Sequence, residues 1–235
     1  PLSSVTGVDG CRIGWVAATR DLRSGRCVIE VYPTFALLLA AQRSAAVIAV
    51  DIPIGLSESA PRSTDQAARK YLGPRGSSVF PAPCRPALGG ASYAAASARS
   101  FAASGKRLSK QTFAIVPKIR EVDRALRADA ATAQRVVEVH PEVSFAVLNH
   151  DRPMPQSKKR AEGRAARRAL LPKASQAALD AARPRWLHGQ VATDDLLDAL
   201  VALWTAGRVL EGRARGFPPT PLVRDAFGLP MQIVA

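Results

Sequence analysis

Three aspartates stand where their neighbours are apolar. Asp9 interrupts the strand-like run Val5-Thr6-Gly7-Val8-Asp9-Gly10, Asp51 closes the apolar run over residues 45–52, and Asp198 lies between Leu197 and Ala199-Leu200-Val201. An ionised carboxylate in such surroundings is costly unless it is paired or bound to a cation. At the carboxyl end of a central strand, a polar residue typically faces a ligand crevice. A strand-end Asp capping a turn is the simpler account of Asp51 alone, and a weaker one for Asp9. Asp195 shares a helix face with Asp198 at i, i+3 spacing. Asp194 and Asp195 also fall in a first helical turn, where acids offset the dipole, and that suffices for Asp194. Glu138 is a further acid in a strand, with His140 and Glu142 just beyond it; His140 reads as a strand-end group or as one that supports a ligand, rather than as a metal ligand itself. Converging carboxylates raise one another's pKa. As hard oxygen donors they suit Mg²⁺ or Mn²⁺ rather than zinc. Two such ions a few Å apart support in-line attack of water on a phosphodiester. The expected ligands are Asp9, Asp51 and Asp198, assisted by Asp195 and Glu138.

The bases needed to hold a phosphate backbone are concentrated in one window. Residues 99–173 carry seventeen Lys or Arg against seven Asp or Glu, an excess of ten within a net charge of +14. Lys110, Lys118 and Arg120 sit in a Pro-interrupted, otherwise modestly charged stretch and are expected to bind phosphate, as are Lys158 and Lys159. Arg164, Arg167 and Arg168 read equally as phosphate ligands or as a solvated helix face. The aromatic residues are sparse and do not interleave with the bases, which argues against a stacking platform for single strands.

The elements that must position these groups follow from patterning. Residues 5–18 and 26–32 read as strands joined as a hairpin by the turn around Ser24-Gly25. Residues 35–42 read as a short helix, and 45–52 as a central strand buried on both faces. Residues 56–132 are mostly helical, with Gly/Ser/Pro breaks at 73–92. Residues 135–140 return to strand and stop at Pro141, residues 164–171 and 175–182 are short helices, and 193–213 is the strongest helix. The tail after Gly216 is Pro-rich and ends in a short apolar segment. This order predicts one α/β domain over residues 1–235: a mixed central sheet flanked by helices, with a helical insertion after the strand that ends at Asp51.

With 235 residues, 47% hydrophobic and 22% charged, the chain can bury a full core without disulfide or metal staples, and disorder is excluded as the dominant state. The three cysteines, Cys11, Cys27 and Cys84, form no C-x-x-C pair. That argues against a disulfide framework and a thiolate zinc site, and for a reducing, cytoplasmic setting. No apolar run is long enough for a spanning helix, so no membrane is expected, and the first residues lack the pattern of a signal peptide.

Several motifs in register carry a resemblance. They are Gly7-Val8-Asp9-Gly10-Cys11-Arg12-x-Gly14-Trp15-Val16, Asp51-Ile52-Pro53-Ile54-Gly55-Leu56 and Gly76-Ser77-Ser78-Val79-Phe80, then Ser109-Lys110-Gln111 and Lys118-Ile119-Arg120-Glu121-Val122-Asp123. Glu138-Val139-His140-Pro141-Glu142, Ser157-Lys158-Lys159 and Asp194-Asp195-Leu196-Leu197-Asp198-Ala199 complete the set. Together they resemble domain-of-unknown-function family 429, described as predicted RNase H-like nucleases. More distantly, Gly7-Val8-Asp9 with Arg12-Ile13-Gly14 is similar to the first-strand motif of YqgF-type Holliday-junction resolvase homologues. The Asp195-x-x-Asp198 helix is similar to the acidic helix of RuvC resolvases. The resemblance implies an RNase H-like fold and maps Asp9, Asp51, Asp195 and Asp198 onto metal ligands. Two departures stand out. Residues 35–42 carry no acid where RNase H has one on its first helix, leaving Glu138 or Glu142 for that role, and Thr64 stands where the family is expected to have Cys.

Three functions follow as expectations. The first is a Mg²⁺- or Mn²⁺-dependent nuclease acting on DNA or RNA. The second is a non-catalytic nucleic-acid-binding protein of the same fold. The third, a nucleotide-dependent phosphotransferase, is weakened by the absence of any G-x-x-x-x-G-K-[ST] or G-x-G-x-x-G loop.

Overall fold

The computed structural model describes residues 2–59, 61–187 and 189–235. In chain order the elements are β1 (Ser4–Cys11), β2 (Gly14–Asp21), β3 (Cys27–Tyr32), α1 (Phe35–Ala41) and β4 (Ala45–Val50), then α2 (Ser63–Leu72), α3 (Tyr93–Ser104), α4 (Lys110–Ala128) and α5 (Ala130–Arg135). They continue with β5 (Val136–Glu138), α6 (Pro141–Leu148), α7 (Ala161–Leu170), α8 (Lys173–Ala182), α9 (Thr193–Leu210), β6 (Gly216–Phe217) and β7 (Ile233–Val234). The fold is α/β, with a mixed sheet in the order β3-β2-β1-β4-β5-β7-β6. Among the described residues, no helix is long and apolar enough to cross a membrane.

The chain forms two compact units. The first runs to Ile52 and resumes over Gln134–Arg215 and Val234–Ala235; the second comprises Pro53–Ala133 and Gly216–Ile233. The insertion expected at 56–132 is therefore the bulk of the second unit, to which the Pro-rich tail adds a further piece.

In the first unit, β1 pairs antiparallel with β2 and β2 with β3, while β1–β4 and β4–β5 are parallel. One expectation is corrected here: residues 5–18 are two strands, not one. The chain reverses between Cys11 and Gly14, which face each other across the ladder. Gly14 has φ +145°, and a Cβ there would lie 2.1 Å from the Tyr32 carbonyl oxygen. Only glycine fits that corner, and the apolar residues on both sides of it disguise the break.

Helix α9 covers one face of β1, β2 and β4, burying Leu196, Leu197, Leu200, Val201 and Leu203 against Val5, Val16, Ala18, Val47 and Ala49. It approaches closely at Gly7, where a Cβ would lie 1.9 Å from Leu203 N and 2.2 Å from Ala199 O. On the other face, Gln42 at the end of α1 accepts hydrogen bonds from Thr6 and Thr19 at 2.9 and 3.2 Å.

In the second unit, buried ions are matched. Arg62 bonds Asp65 at 2.5 Å and donates to the Ile54 and Gly55 carbonyls, while the Asp65 carboxylate also accepts from Ala82 N at 2.9 Å. Arg85 bridges Asp123 at 3.0 Å and also pairs with Asp225. The Thr64 hydroxyl donates to Phe217 O and accepts from Ile233 N. A hydroxyl does both well, and a thiol would do both weakly.

Candidate metal centre

Strand register brings the first two acids together. Val8 is in register with Val50 on the parallel pair β1–β4, and Asp51 N donates to Val8 O at 2.9 Å. The next residues on each strand, Asp9 and Asp51, therefore emerge side by side. Gly7 and Asp9 share a face of β1 because side chains alternate. Since α9 lies on Gly7 through Ala199 and Leu203, Asp198 is delivered to the same place.

One carboxylate oxygen from each of Asp9, Asp51 and Asp198 lies within 4.8 Å of the other two. That is close enough for the three to hold one ion between them. Asp9 is 9% exposed and Asp198 1%. Asp9 Oδ1 accepts from Gly10 N at 2.7 Å. Asp198 Oδ2 accepts from the Lys158 ammonium, whereas its Oδ1 is buried and accepts no hydrogen bond. An orphaned buried carboxylate oxygen among hard donors is what a divalent cation would satisfy.

The electrostatics are those of crowded acids. Burial, then the charges of Asp51 and Asp198, push the Asp9 carboxyl well above the usual range. Burial, then Asp198, pushes Asp51 up to about 8, with Lys158 opposing. Asp198 is also raised, chiefly by burial and against the pull of Lys158. Burial alone would depress Lys158, but Asp198, Asp9 and Asp51 outweigh it and hold the ammonium charged.

The remaining candidates fall elsewhere. The Asp195 carboxylate accepts from Ala192 N at 2.9 Å, so it holds the start of α9; burial raises it to about 6. Asp194 and Asp195 both lie in the first turn of α9, as expected, and Asp195 makes the capping hydrogen bond. Glu138 is in register with Val50, not with Asp51, which places it on the opposite face of the sheet from Asp51. It is buried, and its charge adds to the upward shift of Asp51. Glu142 is paired instead, since both its oxygens accept from Arg167 Nη2, at 2.7 and 2.9 Å.

The expected phosphate ligands divide between the units. Lys110, Lys118 and Arg120 belong to the second unit, and Lys158 and Lys159 to the first. Lys110 begins α4 and is exposed, and the helix runs continuously through Pro117. Arg120 is corrected: its guanidinium donates to Leu88 O and Gly90 O, each at 2.6 Å, and clamps that loop. Lys158 is likewise redirected to Asp198, while Lys159 is exposed.

The pairing missed by sequence reasoning is Arg167 with Glu142. Arg167 is fully buried, and its Nη1 donates to Gln156 O and Gly163 O, both at 2.9 Å. Gly163, one turn before it on α7, is the only sequence hint of a close approach there.

The pattern of a protein family described as "Protein of unknown function (DUF429)" matches residues 7–222. No curated protein and no solved structure matches the chain.

Proposed function

We propose, on the premise that the chain belongs to the DUF429 family of proteins of unknown function, that it is a divalent-cation-dependent phosphodiesterase acting on nucleic acid. The observation that carries this reading is the convergence of Asp9, Asp51 and Asp198 on one point. The strand order β3-β2-β1-β4-β5, antiparallel and then parallel, adds support, since it resembles the RNase H-like arrangement.

Asp9, Asp51 and Asp198 would hold Mg²⁺ or Mn²⁺. Such an ion, when bound, eases the ionisation of water and offsets phosphate charge. Net hydrolysis adds water across one P–O bond, giving a phosphate monoester and a free hydroxyl. Asp195 fixes the start of α9, and so the direction from which Asp198 enters. Lys159, Lys110 and Lys118 are proposed to contact phosphates. The three cysteines, none of them in a disulfide bond, accord with a cytoplasmic location.

The test is incubation of the purified protein with labelled DNA, RNA and branched junctions, with and without Mn²⁺. Cleavage should require the cation and disappear in Asp9→Asn and Asp51→Asn. No cleavage, or cleavage that survives both substitutions, overturns the reading.

The Lys158–Asp198 pair favours a second reading. An ammonium already offsets part of the acidic charge, so the fold can persist without a metal and serve as a non-catalytic nucleic-acid binder. That protein would bind DNA or RNA in a strongly salt-dependent way, with no response to EDTA.

A further inference from the structure

The charged centre of the first unit consists of three carboxylates and one ammonium. We infer that Lys158 supplies the second positive charge of this centre, so that the site takes one divalent cation and not two. The inference rests on the cation-dependent reading above and specifies the site further.

Asp198 divides its two oxygens. Oδ2 is covered by the Lys158 ammonium, and Oδ1 is buried without a hydrogen-bond partner. One oxygen of Asp198 is thus left for a cation. The acids that a second ion would recruit are committed elsewhere: Glu142 to Arg167, and Asp195 to Ala192 N. Glu138 lies on the other face of the sheet, by its register with Val50. Charge balance points the same way. With the acids ionised, as cation binding requires, three carboxylates and one ammonium leave two negative charges, which a single divalent ion cancels. A second ion would leave a buried centre with an equal positive excess, a costly arrangement.

Lys158 is held in place by its surroundings, even though a third of its side chain is exposed. On one side of it, Arg167 Nη1 fixes Gln156 O at 2.9 Å; on the other, Arg164 Nη1 fixes Lys159 O at 2.8 Å. Gly163 permits the closeness, since a Cβ there would lie 2.0 Å from Ser157 O. Arg167 is in turn anchored by Glu142. The turn bearing Lys158 is therefore clamped on both flanks, and the ammonium is delivered to Asp198 much as a ligand would be.

The test counts Mn²⁺ ions by electron paramagnetic resonance titration of the full chain, with nucleic-acid cleavage measured in parallel. The wild-type protein should bind one Mn²⁺ per chain in the metal centre, and Lys158→Arg should do the same with similar affinity. Lys158→Met, which removes the competing charge, should bind Mn²⁺ at least tenfold more tightly. Two Mn²⁺ per wild-type chain, or none, overturns the inference, as does unchanged affinity in Lys158→Met. The wild-type count decides the matter even if Lys158→Met fails to fold. One bound Mn²⁺ without cleavage would instead leave the inference standing and overturn the nuclease reading.

Discussion

Buried acids in the two units are treated in opposite ways. In the second unit, Asp65 is matched by a guanidinium and a backbone N–H, and Asp123 and Asp225 share Arg85. In the first unit, Asp9, Asp51 and Asp198 share a single ammonium, and one of their oxygens is left with no partner. Buried charge is tolerated when it is paired and hydrogen-bonded. Acids held together without enough partners are instead the arrangement found where a ligand completes the count. The pair Glu142–Arg167 shows that the first unit also contains matched acids, so the shortage at the centre is local.

The sharpest way to break this contrast is to neutralise one acid of the centre. Asp9→Asn should lower cleavage at least about a thousandfold, the scale of losing a metal's contribution to transition-state charge. Without metal it should melt no lower than wild type, because it relieves repulsion. A clear loss of metal-free stability would place Asp9 among the matched, structural acids. Next in size, Arg167→Met leaves Glu142 buried and unpaired, which should cost about 3–5 kcal/mol in urea unfolding. A loss under 1 kcal/mol would show that the pair does not brace the Lys158 turn.

Cation binding should sharpen the same contrast. Mn²⁺ at about a hundred times its dissociation constant should stabilise the protein by about 2.7 kcal/mol, and by less as pH falls. Asp51 has its folded pKa raised from 3.8 to about 8. Its contribution to the stability of the metal-free protein is therefore fully present below pH 4 and lost as pH rises through about 8. The cation competes with that proton, so the Mn²⁺-induced rise in Tm should be larger at pH 8.5 than at pH 6. An equal rise at both would break the link between the cation and Asp51. The smallest effect belongs to the second unit: Thr64→Val removes two buried hydrogen bonds at constant shape and should cost about 1–3 kcal/mol, with no change in Mn²⁺ affinity.

Much of the centre was legible because burial and charge conflict openly in the sequence. Asp9, Asp51 and Asp198 each sit in an apolar run, and strand or helix character around them fixes which way they face. The partners were not legible. Residues 151–160 carry no periodicity, so nothing local links Lys158 to Asp198, forty positions away. Arg167 shares its helix with Arg164 and Arg168, which looks like a solvated face until Glu142 is brought against it. The break at Arg12-Ile13 was hidden because a two-residue reversal leaves apolar residues on both sides, and a glycine with positive φ looks like any other glycine. Glu138 misled because register depends on pairing across strands, whereas the sequence reports only neighbours along one.

The contact of α9 with Gly7 has no side chain between the two backbones. Spacings set by packed side chains drift when those residues change size, but this one is fixed by main-chain atoms on both sides. It therefore acts as a gauge for the gap between Asp9 and Asp198, and so for the radius of any ion the pair would hold. Mg²⁺ binds oxygen at about 2.0–2.1 Å and Ca²⁺ at about 2.3–2.6 Å, a difference smaller than the displacement one methyl group at Gly7 would impose. The choice among cations at the proposed centre would thus be set by a residue that never touches the ion.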